Sequence, residues 1–285
     1  YLKLLEAFGN PQNHLPPIIH VAGTNGKGSI IATLKSIYEA AGYSVHTYTS
    51  PHLIRFNERI VINGKPIDNQ SLESLIDEAL DKNGGADCTF FEITTAIAFA
   101  AFARNPADIC LLEVGMGGRL DCTNIITNPA ATIINTIGLD HTEFLGETIE
   151  AVAGEKAGIM KHQTPCIIGA QNFDSVQEVF ESKAKQVGAS LVQHGSFLDQ
   201  YDPPALKGKH QRSNINTALT TVKELQERFP VTYAQINQGL LTTRWPARMQ
   251  KLSSAAFGFD EKTSLWLDGG HNEDAGRAIA THLKT

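Results

Sequence analysis

A chain of 285 residues, 42% hydrophobic and 19% charged, is long enough to bury a large core in one or two domains. A net charge of −6 and the lack of any Lys/Arg run make nucleic acid and anionic membrane poor partners. The longest apolar stretch, Ile93 to Ala103, is about half a membrane span. No signal peptide is visible and Cys88, Cys110, Cys122 and Cys166 form no Cys-x-x-Cys pair, so a reduced, cytoplasmic, globular protein is expected.

In chain order, apolar runs predict strands over Ile18–Ala22, Val45–Tyr48, Ile109–Val114, Ala131–Thr136, Cys166–Gly169 and Ser190–Gln193. Helical spacing predicts helices near Ser29–Ala41, Asn69–Leu80, Phe91–Arg104, Thr148–Ile159, Ser175–Val187, Ile215–Phe229 and Tyr233–Leu241. This alternation implies an α/β fold, a mostly parallel sheet with helices on both faces and ligands at the carboxyl ends of its strands. The helices stop around Arg244-Trp245-Pro246-Ala247-Arg248. A further strand, Ser264–Asp268, leads into Gly269-Gly270-His271-Asn272 and another helix. That pattern reads as the first βα unit of a smaller second domain, dividing the chain into residues 1–243 and 244–285.

The most telling segment is His20 to Ser29. A short buried strand runs into Gly23, Thr24, Asn25, Gly26, Lys27, Gly28 and Ser29, and Ile30, Ile31, Leu34 and Ile37 then recur at helical spacing. A glycine-rich turn between a strand and a helix aims backbone N–H groups and a helix N-terminus at one point, where a polyphosphate can bind. Lys27 adds a positive charge for the outer phosphates. The common motif has four residues between its glycines and Lys-Ser/Thr at its end; here two residues separate Gly23 from Gly26, and Gly28 follows the lysine. A turn that only packs a helix on a strand would need no lysine between its glycines. A nucleoside triphosphate is the first candidate ligand.

Polar clusters follow the other strands. They are Thr49-Ser50-Pro51-His52, Glu113 to Asp121, Leu139-Asp140-His141-Thr142 with Gly154-Glu155-Lys156-Ala157-Gly158 downstream, Gly208 to Asn214, and Asp268 to Asn272. Gly115 to Gly118 resembles a dinucleotide fingerprint, but no helix opens behind it. Asn135 and Thr136 stand where an acidic residue would be needed about 20 positions on, so a nicotinamide dinucleotide is discarded. Four strand ends offering a phosphate cradle, a serine, a carboxylate and a histidine suit Mg²⁺ beside a triphosphate, with Lys27 neutralising charge on a transferred γ-phosphoryl group. Lys156 taken alone reads as a solvated helix charge.

Seven segments occur in order: Gly-Thr-Asn-Gly-Lys-Gly-Ser, Thr-Ser-Pro-His-Leu, Leu-Glu-Val-Gly-Met-Gly-Gly-Arg-Leu-Asp-Cys-Thr-Asn, Leu-Asp-His-Thr, Gly-Glu-Lys-Ala-Gly-Ile, Gly-Lys-His-Gln-Arg-Ser-Asn and Asp-Gly-Gly-His-Asn. Together they resemble the folylpolyglutamate synthase and dihydrofolate synthase branch of the Mur ligase superfamily, whose phosphate loop carries the same glycine after its lysine. The resemblance implies a P-loop NTPase-like central domain and the start of a Rossmann-like domain, of which only the first βα piece is expected here. It implies ATP-dependent addition of L-glutamate to a folate, and to dihydropteroate, through an acyl phosphate, in an enzyme expected to be a monomer. By the same resemblance, Lys27 and the loop from Gly23 to Ser29 hold the phosphates, Ser50 and Glu113 a first Mg²⁺, and His141 a second. Lys156 matches a lysine carbamylated in the family, giving an anion for the second metal. Asn214 and Arg248 match nucleotide-contacting positions, and Asp268 and His271 a pair that closes on the nucleotide and the reacting carboxylate. A cell-wall Mur ligase would be expected to show Lys-Thr-Thr or Lys-Ser-Thr in the loop, and a non-catalytic nucleotide module would have lost its metal and phosphate residues. A GTPase would need Asn-Lys-x-Asp, which the chain lacks.

Overall fold

Strands β1 (Ile18–Ala22), β2 (Val45–Tyr48), β5 (Ile109–Glu113), β6 (Ala131–Ile134), β7 (Pro165–Ile168) and β8 (Ser190–Gln193) lie parallel in one sheet, as the apolar runs imply. In the computed structural model, which describes residues 1–260 and 262–283, two short strands, β3 (Ile60–Ile62) and β4 (Lys65–Pro66), extend the β2 edge antiparallel. The spatial order is β4-β3-β2-β5-β1-β6-β7-β8. The sequence reading had no β3–β4 hairpin. Its turn is Asn63-Gly64, both at positive φ (47° and 81°), a dipeptide suited to a two-residue hairpin loop.

Helices α1 (Leu2–Ala7), α3 (Asn69–Asn83) and α4 (Phe90–Ala103) cover one face; α2 (Lys27–Ala40), α8 (Lys209–Glu224) and α9 (Tyr233–Thr242) cover the other. The short α5 (Thr142–Leu145), α6 (Ile149–Ala157) and α7 (Ser175–Val187) follow β6 and β7 and close the β7 end. Alternation along the strands divides the core. Ile19 and Val21 of β1 and Ile109 and Leu111 of β5 face α2 and α8, whereas Ile18, Cys110 and Leu112 face α4. Thr89 and Glu92 cap α4 reciprocally, and Thr148 caps α6 by accepting from the Ala151 N–H. At Gly239 on α9 an added Cβ would meet the Ile37 backbone of α2, so the absence of a side chain lets the two helices touch.

Two helix starts differ from expectation. Helix α2 begins at Lys27 rather than Ser29, and α8 begins at Lys209 rather than Ile215, so Lys209 to Asn214 is not a loop but the first turns of a helix. Beyond residue 243, β9 (Gln250–Leu252) and β10 (Leu265–Leu267) pair antiparallel, and α10 (Glu273–Leu283) follows. The expected strand and helix of this segment are present, while β9 had no counterpart in the sequence reading. Glu261, Lys284 and Thr285 lie outside the described residues.

Candidate active site

The register of the sheet determines which residues meet. Val21 of β1 lies beside Glu113 of β5, and Tyr48 of β2 beside Leu112, so the loops after β1, β2 and β5 leave the same edge side by side. The glycine loop follows β1. Gly26 caps α2 at φ +83°, a left-handed conformation that a residue with Cβ adopts at a cost, and an added Cβ would also collide with the amides of Asn135 and Asn214. No side chain caps α2, so the N–H groups of its first turn remain available to an anion. Thr24 is pinned because its hydroxyl donates to the Gly138 carbonyl at 2.9 Å and accepts from the Gly138 N–H at 3.1 Å. Lys27 Nζ folds back, donating to the Gly23 carbonyl at 3.0 Å and lying 3.9 Å from Glu113 Oε1. Ser29 is buried, with no partner for its hydroxyl.

Glu113, at the end of β5, is 4% exposed and accepts one backbone hydrogen bond, from the Ser50 N–H at 3.2 Å. Burial pushes its carboxyl up to about 7, against the opposing pull of Lys27 and of the Ser50 N–H. Lys156, on α6, is also 4% exposed; burial brings its amine down to about 7, Lys27 adds to the effect, and Asp140 and Asp121 oppose it. Lys156 is therefore not the solvated helix charge that its spacing alone suggests. His141, at the left-handed N-cap of α5, is half exposed, with Nε2 3.9 Å from Asp140. A cavity of about 20 Å³ is bounded by Gly23, Thr24, Lys27, Gly115, Asp140, His141 and Lys156. Three strand ends and α6 thus meet in a space the size of one ion or water. Among the described residues no three His, Cys, Asp or Glu side chains converge to hold a metal unaided. A metal here would use one carboxylate, hydroxyls and phosphate oxygens, the pattern Mg²⁺ takes.

A larger cavity of about 580 Å³ opens on the other side of the loop. Asn25, Gly26, Ser29 and Asn214 line one wall; Arg248, Asp268 and His271 line another. The volume suits a ligand of nucleotide size. Asn25 and Asn272 exchange side-chain hydrogen bonds at 3.3 and 3.1 Å, joining the glycine loop to the segment before α10. Asp268 is held by the N–H groups of Met249 (2.7 Å) and Gly270 (2.8 Å). His271 is exposed, with its Nδ1 3.1 Å from the Gly269 carbonyl. Asn214 is less free than expected, because its Oδ1 accepts from Asn135 and its Nδ2 donates to Gln211.

An aromatic face lies beside Glu113. Gly115 has no room for a Cβ because the Phe91 ring covers it, and Phe91 stacks on Tyr48 at 5.9 Å. Phe56 contacts His52 and the exposed Phe90, and the Arg59 guanidinium lies over both phenyl rings at 5.5 and 5.7 Å. The sequence reading missed this face, and it missed Asn135, Asn272 and Trp245, whose indole fills the space that a side chain at Gly28 would need. Asn272 ends the Asp-Gly-Gly-His-Asn segment without a role of its own there, and for the others only folding gives the side chain its neighbours.

Residues 21–234 match the Mur ligase middle domain family. The chain is 33% identical over 312 aligned residues to the dihydrofolate synthase/folylpolyglutamate synthase of Bacillus subtilis, with 99% of the chain and 70% of that protein covered. It is 35% identical to the dihydrofolate synthetase of Saccharomyces cerevisiae, again over 99% of the chain and 70% of the relative. Among solved structures, E. coli FolC in complex with DHPP and ADP superposes with a TM-score of 0.86 at 29% identity, covering 99% of this chain and 69% of that one.

The two shifted groups make a prediction about metal-free protein. Lys156 binds a proton in the unfolded chain up to about 10.5 but in the folded chain only up to about 7, so its contribution to stability is lost as pH falls toward 7. Glu113 acts oppositely, its contribution being lost as pH rises from 4.5 to about 7. Lys156→Met should therefore stabilise the protein at pH 7 and below by on the order of a few kcal/mol, with the advantage shrinking toward pH 10. Urea titrations of both proteins in CO₂-depleted, Mg²⁺-free buffer would measure it. An equal stability at pH 7 would show that Lys156 is solvated.

Proposed function

The chain belongs to the folylpolyglutamate synthase and dihydrofolate synthase family of Mur ligases, and from that membership we propose how its residues divide the work of an ATP-dependent ligase that adds glutamate to folate. The observation that carries the reading is the meeting of Lys27, Ser50, Glu113, His141 and Lys156 around the ends of four adjacent strands, with a nucleotide-sized cavity on one side and an aromatic face on the other.

ATP lies with its triphosphate on the loop from Gly23 to Ser29 and its nucleoside in the larger cavity, against Asn214 and Arg248. Lys27 leaves the loop carbonyls for the β/γ-phosphates. The pteridine rests on the aromatic face, which brings its carboxylate to the γ-phosphate. A carboxylate oxygen bonds to the γ-phosphorus, the bond to the bridging oxygen breaks, and ADP leaves. The glutamate amine then attacks the acyl carbon, loses its proton, and phosphate departs as the amide forms. Asp268 and His271 close over the reacting carboxylate from residues 244–285, which we read as the beginning of a second domain. The B. subtilis relative is named for both activities, and we infer that dihydropteroate is accepted as well as folate.

Ser50 and Glu113 would hold a first Mg²⁺. A desolvated carboxylate with one backbone donor and a lysine 3.9 Å away is under-neutralised and suits a hard cation. His141 and Lys156 would hold a second. Bound there, Mg²⁺ supplies positive charge to the phosphoryl group in transit. Lys156 fits this role only after chemical change, because an ammonium repels a cation. Its lowered proton affinity leaves a neutral amine near pH 7, which adds to CO₂, releases a proton and becomes a carbamate with two oxygens. The absence of any span long and apolar enough to cross a membrane among the described helices is consistent with a cytoplasmic enzyme.

Purified protein should release ADP only when ATP, glutamate and either folate or dihydropteroate are all present. Lys27→Ala should lower that turnover on the order of a hundredfold without lowering the melting temperature. Release indifferent to glutamate, or an unimpaired Lys27→Ala enzyme, would contradict the proposal. The carbamate has its own test: Lys156→Ala should be nearly inactive and regain part of its activity in millimolar formate or acetate, whose carboxylate occupies the vacated space. A variant that keeps wild-type turnover, or that no small carboxylate restores, would remove the carbamate from the mechanism.

A further inference from the structure

Asn135 follows β6 and is 1% exposed. Its carboxamide stands where the glycine loop, the start of α8 and the end of β7 converge. Nδ2 donates to the Asn25 carbonyl, inside the loop, and to Asn214 Oδ1 on α8, both at 2.8 Å. Oδ1 is buried with no partner. The opposite amide orientation would set Oδ1 against two acceptors, so the orientation follows from the network. The surroundings are shaped to the side chain. An added Cβ at Gly26 would run into Nδ2, one at Gly169 would run into Oδ1, and one at Gly23 would lie 3.0 Å from the Asn135 Cβ. Its own backbone is fixed by the Ala22 carbonyl, which accepts from the Asn135 N–H at 2.9 Å.

We propose that Asn135 is a positioning residue for ATP, whose carboxamide sets the curvature of the phosphate loop and ties it to Asn214, so that the phosphate and nucleoside ends of the cavity keep one fixed spacing. This rests on the nucleotide reading of the cavity and adds a residue that lies outside the glycine motif. The physical case is one of commitment. Both amide hydrogens go to residues that line the cavity, one in the glycine loop and one on α8, at the cost of an unsatisfied buried oxygen. A side chain serving only to fill space could be apolar there. The Asn25 carbonyl is otherwise a buried-side acceptor in a loop whose N–H groups must face the phosphates, and the amide keeps that peptide from turning over.

Calorimetric titration of the full chain with ATP, beside steady-state kinetics, tests the proposal. Asn135→Ser removes the reach of the amide, and Gly169→Ala displaces it without removing it. Both should raise the Kd for ATP about tenfold or more, the effect of losing a buried hydrogen bond from a preorganised site. The KM for folate and the melting temperature should stay near wild type. Adding Asn214→Ala to Asn135→Ser should weaken ATP binding by less than the product of the separate effects, because the two amides act as one connection. A folded Asn135→Ser or Gly169→Ala protein that binds ATP within twofold of wild type would overturn the positioning role. So would a parallel loss of ATP affinity, folate affinity and melting temperature, which marks a merely structural residue. If the unaltered chain itself bound no ATP, the nucleotide reading would fall instead.

Discussion

Lys27 and Glu113 leave neighbouring parallel strands and meet 3.9 Å apart, both largely shielded from water. That meeting is costly. Glu113 is held at about 7 by burial even with a lysine beside it, and Lys156, close by, is brought down to the same value. A fold selected for stability alone would pair these groups fully or replace them with apolar ones. Left under-neutralised, they form a corner whose electrostatics suit the phosphates and hard cations of the proposed mechanism. The sheet enforces the arrangement, because a one-residue slip of β1 against β5, or of β5 against β2, would exchange the side chains that pack on α2 and α8 with those that pack on α4.

The order β2-β5-β1-β6 explains how residues far apart in sequence come together. Ser50, Glu113, the glycine loop and the Asp140–His141 segment are the continuations of four adjacent strands, all on the carboxyl edge. The chain then brings in its two other contributors from opposite sides. The 52–59 and 90–91 segments place aromatic rings beside Glu113, while α8, Arg248 and the stretch from Asp268 into α10 line the larger cavity. In the proposed mechanism phosphoryl transfer at the seam needs both ligands to arrive in register, and the reciprocal Asn25–Asn272 amide bonds, between residues 247 apart in sequence, connect the loop to the segment before α10.

Much of this was legible in the sequence. The parallel strands are continuous apolar runs because both faces are covered, and the glycine loop announces itself by three glycines around one lysine. Spacing alone did not reveal the start of α8, where Lys209, His210 and Arg212 mask the periodicity although Gln211 and Asn214 point inward. The β3–β4 hairpin was missed although Asn63-Gly64 carries its signal, because the strands are too short for alternation to register. Lys156 was assigned by resemblance and not by pattern; what makes it unusual is desolvation, which depends on α6 packing against the loop from Gly117 to Arg119. Gly118 allows that approach, its added Cβ meeting the Glu155 carbonyl at 2.8 Å. Asn135 had no signal beyond being a polar residue at a strand end, since its importance lies wholly in its tertiary neighbours.

The claim that the four strand ends form one phosphoryl-transfer site is tested most directly by a crystal structure of the protein with a non-hydrolysable ATP analogue and Mg²⁺. The account predicts Ser50 Oγ and a Glu113 carboxylate oxygen roughly 2.0–2.2 Å from one metal ion, with Lys27 Nζ turned from the loop carbonyls to the outer phosphates. A metal bound elsewhere, with Ser50 and Glu113 both turned away and the triphosphate outside the glycine loop, would contradict it.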